Sequence, residues 1–181
     1  STTAMNAVAN STTAMNAVIN STTAWNTVMK STTAWNTVIN STTAMNAVAN
    51  STTAWSTVMN STTAFNTVIN STTAMNAVAN STTALKSIAD SDKAMMTLIN
   101  HSKTRTHTGS SVKSINGIVL STDYKKVEIF SFADGTKTSN TEDLPYKLSN
   151  GHYNVLKSYP KRAVSVAAYS SLRKVYYYPL D

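Results

Sequence analysis

Two histidines, His101 and His107, flank Lys103 and Arg105 in the segment HSKTRTHTGS. Paired imidazoles can hold a transition metal, but a closed site needs further ligands, and no carboxylate or thiolate stands beside them. A solvated polar linker accounts for this spacing, and no metal is expected. Asp123, Glu128, Asp134, Glu142 and Asp143 could include a general acid and a general base. Each falls at a turn or on a charge-mixed stretch, where solvation is reason enough for a carboxylate. No nucleophile elbow, phosphate loop or zinc spacing occurs. The chain is therefore expected to have no catalytic residues and no cofactor, and not to be an enzyme.

What remains is recognition chemistry. Tyr176, Tyr177 and Tyr178 run consecutively, and in a strand alternation sends at least one ring to the outer face. Aromatic rings stack on sugars and anchor interfaces. Together with the basic Lys161, Arg162, Arg173 and Lys174 they form the candidate binding surface. The Asn-Ser-Thr triplets earlier in the chain match a glycosylation acceptor, but they recur because the whole phrase recurs.

The elements that must position these residues follow from a split composition. All four glycines, all three prolines and all eight tyrosines lie after residue 100, whereas Trp25, Trp35 and Trp55 lie before it. Before Lys86 the one charged residue is Lys30, so the formal charge of +7 belongs mostly to the C-terminal part. Diluted over mixed charges, it does not indicate nucleic acid. There is no cysteine, hence no disulfide. No run approaches the roughly 18 apolar residues of a membrane span. Three regions are expected: a repeat shaft over 1–100, a linker over 101–108 and a small β-rich domain over 109–181.

The shaft is a ten-residue phrase, S-T-T-A-Φ-N-(A/T)-V-(A/I/M)-N, repeated from Ser1 to Asn100. Read as a helix, places 4, 5, 8 and 9 share one face, and Thr and Asn lie opposite. Read as strands, places 5, 7 and 9 share a face, so a β-helix stands as the alternative. Ten residues of ideal helix turn through about 1000°, roughly 80° short of three turns. One straight helix would let the apolar stripe drift round, which favours short helices broken at each Asn-Ser-Thr. Places 4 and 8 form the expected shaft core: Ala4, Val8, Ala14, Val18, Ala44, Val48, Ala74 and Val78. One copy alone exposes that face, so a parallel homotrimer is expected.

Past the linker, strand signals crowd together. GIVLS is a short apolar run, Asp134-Gly135 and Asn150-Gly151 are hairpin turn signals, and AVSVAAYSS and RKVYYYPL read as closing strands. A small sandwich or barrel is expected.

The repeat phrase, as at Ser1–Asn10, Ser11–Asn20, Ser41–Asn50 and Ser71–Asn80, resembles the STAM-like repeats of bacteriophage and prophage tail-fibre and receptor-binding proteins. The aromatic copies at 21–40 and 51–70 match more loosely. The resemblance implies a fibrous, trimeric component of the virion, with no catalytic residues. It suggests a shaft that projects the terminal domain towards a bacterial surface polymer or another virion protein, without membrane insertion. An ice- or surface-binding β-solenoid is one alternative, although adjacent threonines cannot share one strand face. A tail-spike depolymerase is another, although the carboxylates are few.

Overall fold

The computed structural model describes residues 1–138 and 143–181. The chain divides into two compact units, Ser1–Ala84 and Leu85–Asp181. Each repeat forms one helix: α1 (Thr2–Ala9), α2 (Thr12–Ile19), α3 (Thr22–Lys30), α4 (Thr32–Ile39), α5 (Thr42–Asn50), α6 (Thr52–Asn60), α7 (Thr62–Asn70), α8 (Thr72–Ala79), α9 (Thr82–Ala89) and α10 (Asp92–Ile99). The β-helix alternative is thereby set aside.

The serine at place 1 causes each break. From Ser11 to Ser71 it is extended, with φ between −111° and −95° and ψ between 106° and 119°. Its Oγ accepts the amide of the alanine at place 4, at 3.2–3.3 Å. Its own carbonyl accepts the amide of place 5, and its N–H donates back to the valine carbonyl at place 8 of the preceding repeat, as from Ser51 N–H to Val48 O at 3.1 Å. One residue thus ends a helix and caps the next while satisfying groups that helix ends ordinarily leave orphaned. Among the described residues no non-glycine has positive φ, so the turn needs no glycine, and the repeats contain none.

In the first unit, α1 packs on α2 and α4, α2 on α3 and α5, α4 on α7, and α5 on α6 and α8. Helices meet their sequence neighbours, and α1, α2, α4 and α5 each meet the helix three repeats on, so three helices complete one turn of a solenoid. Successive turns are tied by the capping serines. Ser41 Oγ donates to Ala9 O at 2.7 Å, Ser71 Oγ to Ile39 O at 3.2 Å and Ser81 Oγ to Ala49 O at 2.7 Å. The apolar places point inward in the later repeats, where Ala44, Val48, Ala74 and Val78 are all 0% exposed, whereas in the first two repeats Ala4 is exposed and Val8, Ala14 and Val18 are half-buried. Three helices of one chain share the burial that the sequence reading assigned to three chains. A homotrimer is therefore not needed to cover the repeat.

The solenoid turn also has a sequence signal that the ten-residue phrase hides. Residues 21–50 and 51–80 differ only at Asn26/Ser56, Lys30/Asn60 and Trp35/Phe65. The true structural period is thirty. Its geometry repeats too: Trp25 and Trp35 pack edge-on at 5.9 Å and 73°, and Trp55 and Phe65 at 6.5 Å and 71°.

Among its described residues the second unit holds seven strands: β1 (Arg105–Thr108), β2 (Lys113–Thr122), β3 (Val127–Phe132), β4 (Lys137–Thr138), β5 (Tyr153–Asn154), β6 (Arg162–Ala168) and β7 (Lys174–Pro179), with a short helix α11 (Val155–Ser158). All are antiparallel and belong to one sheet of order β1-β7-β2-β6-β3-β4, with β5 on β2. The strands thus form one sheet rather than the two of a sandwich. Bulges in β2, between Ser114 and Gly117 and between Val119 and Ser121, curl it. The curl brings the end of β6 back to β1, where the Ala168 N–H donates to Gly109 O at 3.0 Å.

Both expected turns form, at Gly135 (φ 83°) and Gly151 (φ 85°). The expected linker over 101–108 is instead part of the fold, since β1 pairs with β7 in the register Arg105↔Tyr177 to Thr108↔Lys174.

The compact units part earlier than the composition does, because the last repeats belong with the sheet. Helix α10 packs on β2 and β7. Asn154, 3% exposed, donates its Nδ2–H to Ala89 O at 2.8 Å, and its Oδ1 accepts the Lys157 amide. With both faces covered, β2 is buried continuously from Gly117 to Thr122. Val119, Val175 and Tyr177 face the sheet's own core with Val127, Phe130 and Val166.

Candidate binding surface

Covering the outer face of the sheet changes the fate of the tyrosine run. Tyr177 lies in the core at 6% exposure, and Tyr178 is 1% exposed. Burial pushes the Tyr178 hydroxyl up to about 12. Its ring lies 5.7 Å from that of His101. Tyr176 is half-buried and stacks on His152 at 4.7 Å. None of the three rings is an exposed anchor, because the face that alternation sends outward is packed.

The basic candidates disperse. Lys161 pairs with Asp134 at 2.8 Å and lies 5.4 Å from the Phe132 ring. The Lys161 bond, joined by those from Thr136, holds the Asp134 carboxyl well below the usual carboxylate range. Arg162 donates from Nε to Asn116 Oδ1 at 2.9 Å. Arg173 and Lys174 stand apart from these, in the turn between β6 and β7 and at the first residue of β7.

There the structure assembles a surface that sequence reading missed. The turn 123–126 after β2 and the turn 169–173 after β6 lie side by side. The Lys174 N–H donates to Asp123 Oδ1 at 2.8 Å, and the Asp123 N–H to Lys174 O at 3.2 Å. Tyr124 and Tyr169 stack at 5.2 Å and 28°. The Arg173 guanidinium lies 4.5 Å from the centre of Tyr124, and Lys126 Nζ lies 5.8 Å from that of Tyr169. Two rings between two cations make a rigid ladder in which each contact is attractive. Beside it Leu172 is 83% exposed. The Gly109 N–H joins the same end by donating to Arg173 O, and Val112, also exposed, lies in the loop it begins. The sequence signal was available in the two short turns, DYKK and YSSLR, each with an aromatic and a cation within five residues. Their meeting depends on the curl of β2, which spacing does not reveal.

Two further acidic groups are held in ion pairs. Asp143 pairs with Lys125 and Lys126, and that bond to Lys125 holds its carboxyl below the usual range. Asp90 pairs with Lys157 at 2.9 Å. Glu128 lies on β3, and Glu142 lies outside the described residues. The His107 ring meets Ser111 O at 2.7 Å. Among the described residues no three His, Cys, Asp or Glu side chains gather as a metal site. Among the described residues no helix is long and apolar enough to cross a membrane.

Compared with known proteins, the chain matches no family model and no curated sequence.

Proposed function

We propose that the chain is a structural attachment protein that works by binding, not turnover. In this reading the repeat solenoid is a scaffold, and the C-terminal unit carries the recognition surface. The setting is a virion fibre, as the resemblance of the repeat suggests, and the target is a polymer of the bacterial surface. One observation carries the reading. The solenoid's outer places are Thr and Asn with one charge, Lys30, whereas exposed apolar and cationic side chains meet at one loop end of the C-terminal unit. Loops held on a rigid sheet are where recognition resides, and Tyr, Arg and an exposed Leu are what interfaces use. The pairing of Asp134, Asp143 and Asp90 with lysines favours binding over acid–base catalysis. Because a single chain buries its own repeat, the proposed working unit is the single chain.

The test is retention of the full chain on bacterial envelope material, compared with a variant carrying Tyr169→Ser, Leu172→Ser and Arg173→Ser. The variant is expected to lose retention while keeping the folded dichroism of the parent, with the ladder's lost contacts lowering its melt only slightly. Equal retention of both proteins overturns the assignment of this surface. Retention by residues 1–84 alone moves the activity to the solenoid.

A further inference from the structure

We propose that a cavity between the start of β1 and the first half of β2 binds a sugar unit carrying an anionic group. This site is separate from the loop-end ladder and goes beyond the attachment reading.

The cavity follows from the course of β2. Its pairing with β7 begins only at Gly117, opposite Pro179. The preceding residues, Lys113 to Asn116, run past the end of β7, where the Leu180 N–H donates to Asn116 O at 2.8 Å, and a bulge between Ser114 and Gly117 breaks their pairing with β6. The space left measures about 380 Å³, within the range of small-molecule sites. Arg105, Lys113, Ser114, Asn116, Tyr177 and Asp181 line it.

These groups are held in place. Arg105 donates from one terminal nitrogen to Ser102 O at 3.0 Å and Thr104 O at 3.4 Å, which leaves its other nitrogens for a ligand. Lys113 Nζ lies 5.8 Å from the Tyr177 ring centre. Among the described residues neither cation has a carboxylate within 4.0 Å. Asn116 Oδ1 is occupied by Arg162 Nε at 2.9 Å, so its amide offers the cavity a donor.

The mixture selects the ligand. Two unpaired cations in a concave site call for an anion. Asn116, Ser114 and the Asp181 carboxylate match hydroxyl groups. A bare carboxylate or phosphate uses the cations but faces Asp181 with nothing to donate. A neutral sugar satisfies the polar groups and leaves both cations unused. A pyranose with a carboxylate or phosphate uses both sets, and the two sources of charge are separated by experiment.

The experiment is NMR titration of the full chain with sodium glucuronate, glucose 6-phosphate, glucose and acetate. Saturable shifts at residues 113–116 are expected with an acidic sugar, and the stronger of the two names the anion. Glucose and acetate are expected to bind at least about tenfold more weakly. Lys113 and Arg105 are exposed, so Lys113→Gln and Arg105→Gln are each expected to weaken binding about tenfold without moving the melting temperature. If Arg105→Gln perturbs the fold, Lys113→Gln alone decides. The proposal is overturned by no saturable shift with either acidic sugar, by glucose binding equally, or by unchanged affinity in Lys113→Gln. Sugar binding without envelope retention leaves this site standing and removes the attachment reading. Retention unaffected by Lys113→Gln, with no sugar bound, does the reverse.

Discussion

Residues 1–84 and 85–181 bury apolar area in opposite ways. The first unit uses one phrase many times, takes its contacts from the neighbouring repeat and the one three repeats on, and needs almost no charge. The second uses each residue once and joins distant segments, as in β1 with β7 and Asn154 with Ala89. It spends its glycines, tyrosines and ion pairs on turns and closures. Repetition gives stability by nearest-neighbour addition but yields a uniform surface. Irregular closure gives varied loops, and with them recognition.

The chain supplies separate reporters for this contrast, because every tryptophan lies in the first unit and every tyrosine in the second. The largest effect is expected from Ala54→Asp. Ala54 is 0% exposed, and an uncompensated carboxylate there is expected to cost on the order of 3–5 kcal/mol. Tryptophan emission should shift red and helical dichroism fall, while the tyrosine near-ultraviolet signal holds. Loss of both signals together would show that the units do not fold separately.

Gly117→Ala should act in the other direction. A Cβ at Gly117 would lie 2.5 Å from Tyr178 O, so β7 must move. A loss of about 1–3 kcal/mol is expected in the tyrosine-reported melt and none in the tryptophan-reported one. An unchanged tyrosine melt would mean that the β2–β7 contact is looser than described.

The repeats were legible in different degrees. The amphipathic face at places 4, 5, 8 and 9, the breaks at serine and both glycine turns can be read from pattern, because each rests on contacts within about ten residues. Solenoid closure rests on a thirty-residue period, and the near-identity of 21–50 and 51–80 shows it once that period is tried. The binding surface was less legible. Tyr176 to Tyr178 are obvious in sequence and packed in structure, since no local pattern says that α10 will cover their face. Tyr124 and Tyr169 are unremarkable in sequence and meet only through long-range pairing.

Two smaller changes sharpen the account of the solenoid. Ser41 both caps α5 and donates across the turn to Ala9 O, whereas Ser51 caps α6. Ser41→Ala should therefore cost more than Ser51→Ala, about 2 against about 1 kcal/mol, by tryptophan-monitored denaturation. Equal losses would show that the bond between turns contributes nothing. Trp35→Phe should do the reverse of harm. The Trp35 indole N–H is buried without an acceptor, and Phe65 occupies the equivalent place thirty residues on with similar edge-on packing. Removing the unmet donor while keeping an aromatic ring is expected to leave stability within about 1 kcal/mol of the parent, or to raise it. A loss above about 2 kcal/mol would mean that indole volume is what the first turns require.

The last contrast is with pH. The first unit has Lys30 as its one charged side chain, so its tryptophan-reported midpoint should be flat between about pH 5 and pH 7. The second unit holds all three histidines. Burial lowers the pKa of His101, and neighbouring Lys103 lowers it further; burial also lowers that of His152, against the opposing charge of Asp123. A lowered value means that the folded unit favours the neutral imidazole. Above the unfolded value of 6.5 both states are neutral and the contribution is complete. As pH falls below it, the unfolded chain takes up protons first, and the tyrosine-reported stability should decline towards about pH 5. His152→Phe keeps an aromatic ring on Tyr176 and removes a titrating group whose Nδ1 is buried without a partner, so it should make that decline shallower. Asp134 and Asp143, held low by Lys161 and Lys125, lose their pairing only below the carboxylate range and so do not contribute in this window. A tyrosine melt that is flat from pH 7 to pH 5, or a tryptophan melt that falls with it, would contradict this division of charge between the two units.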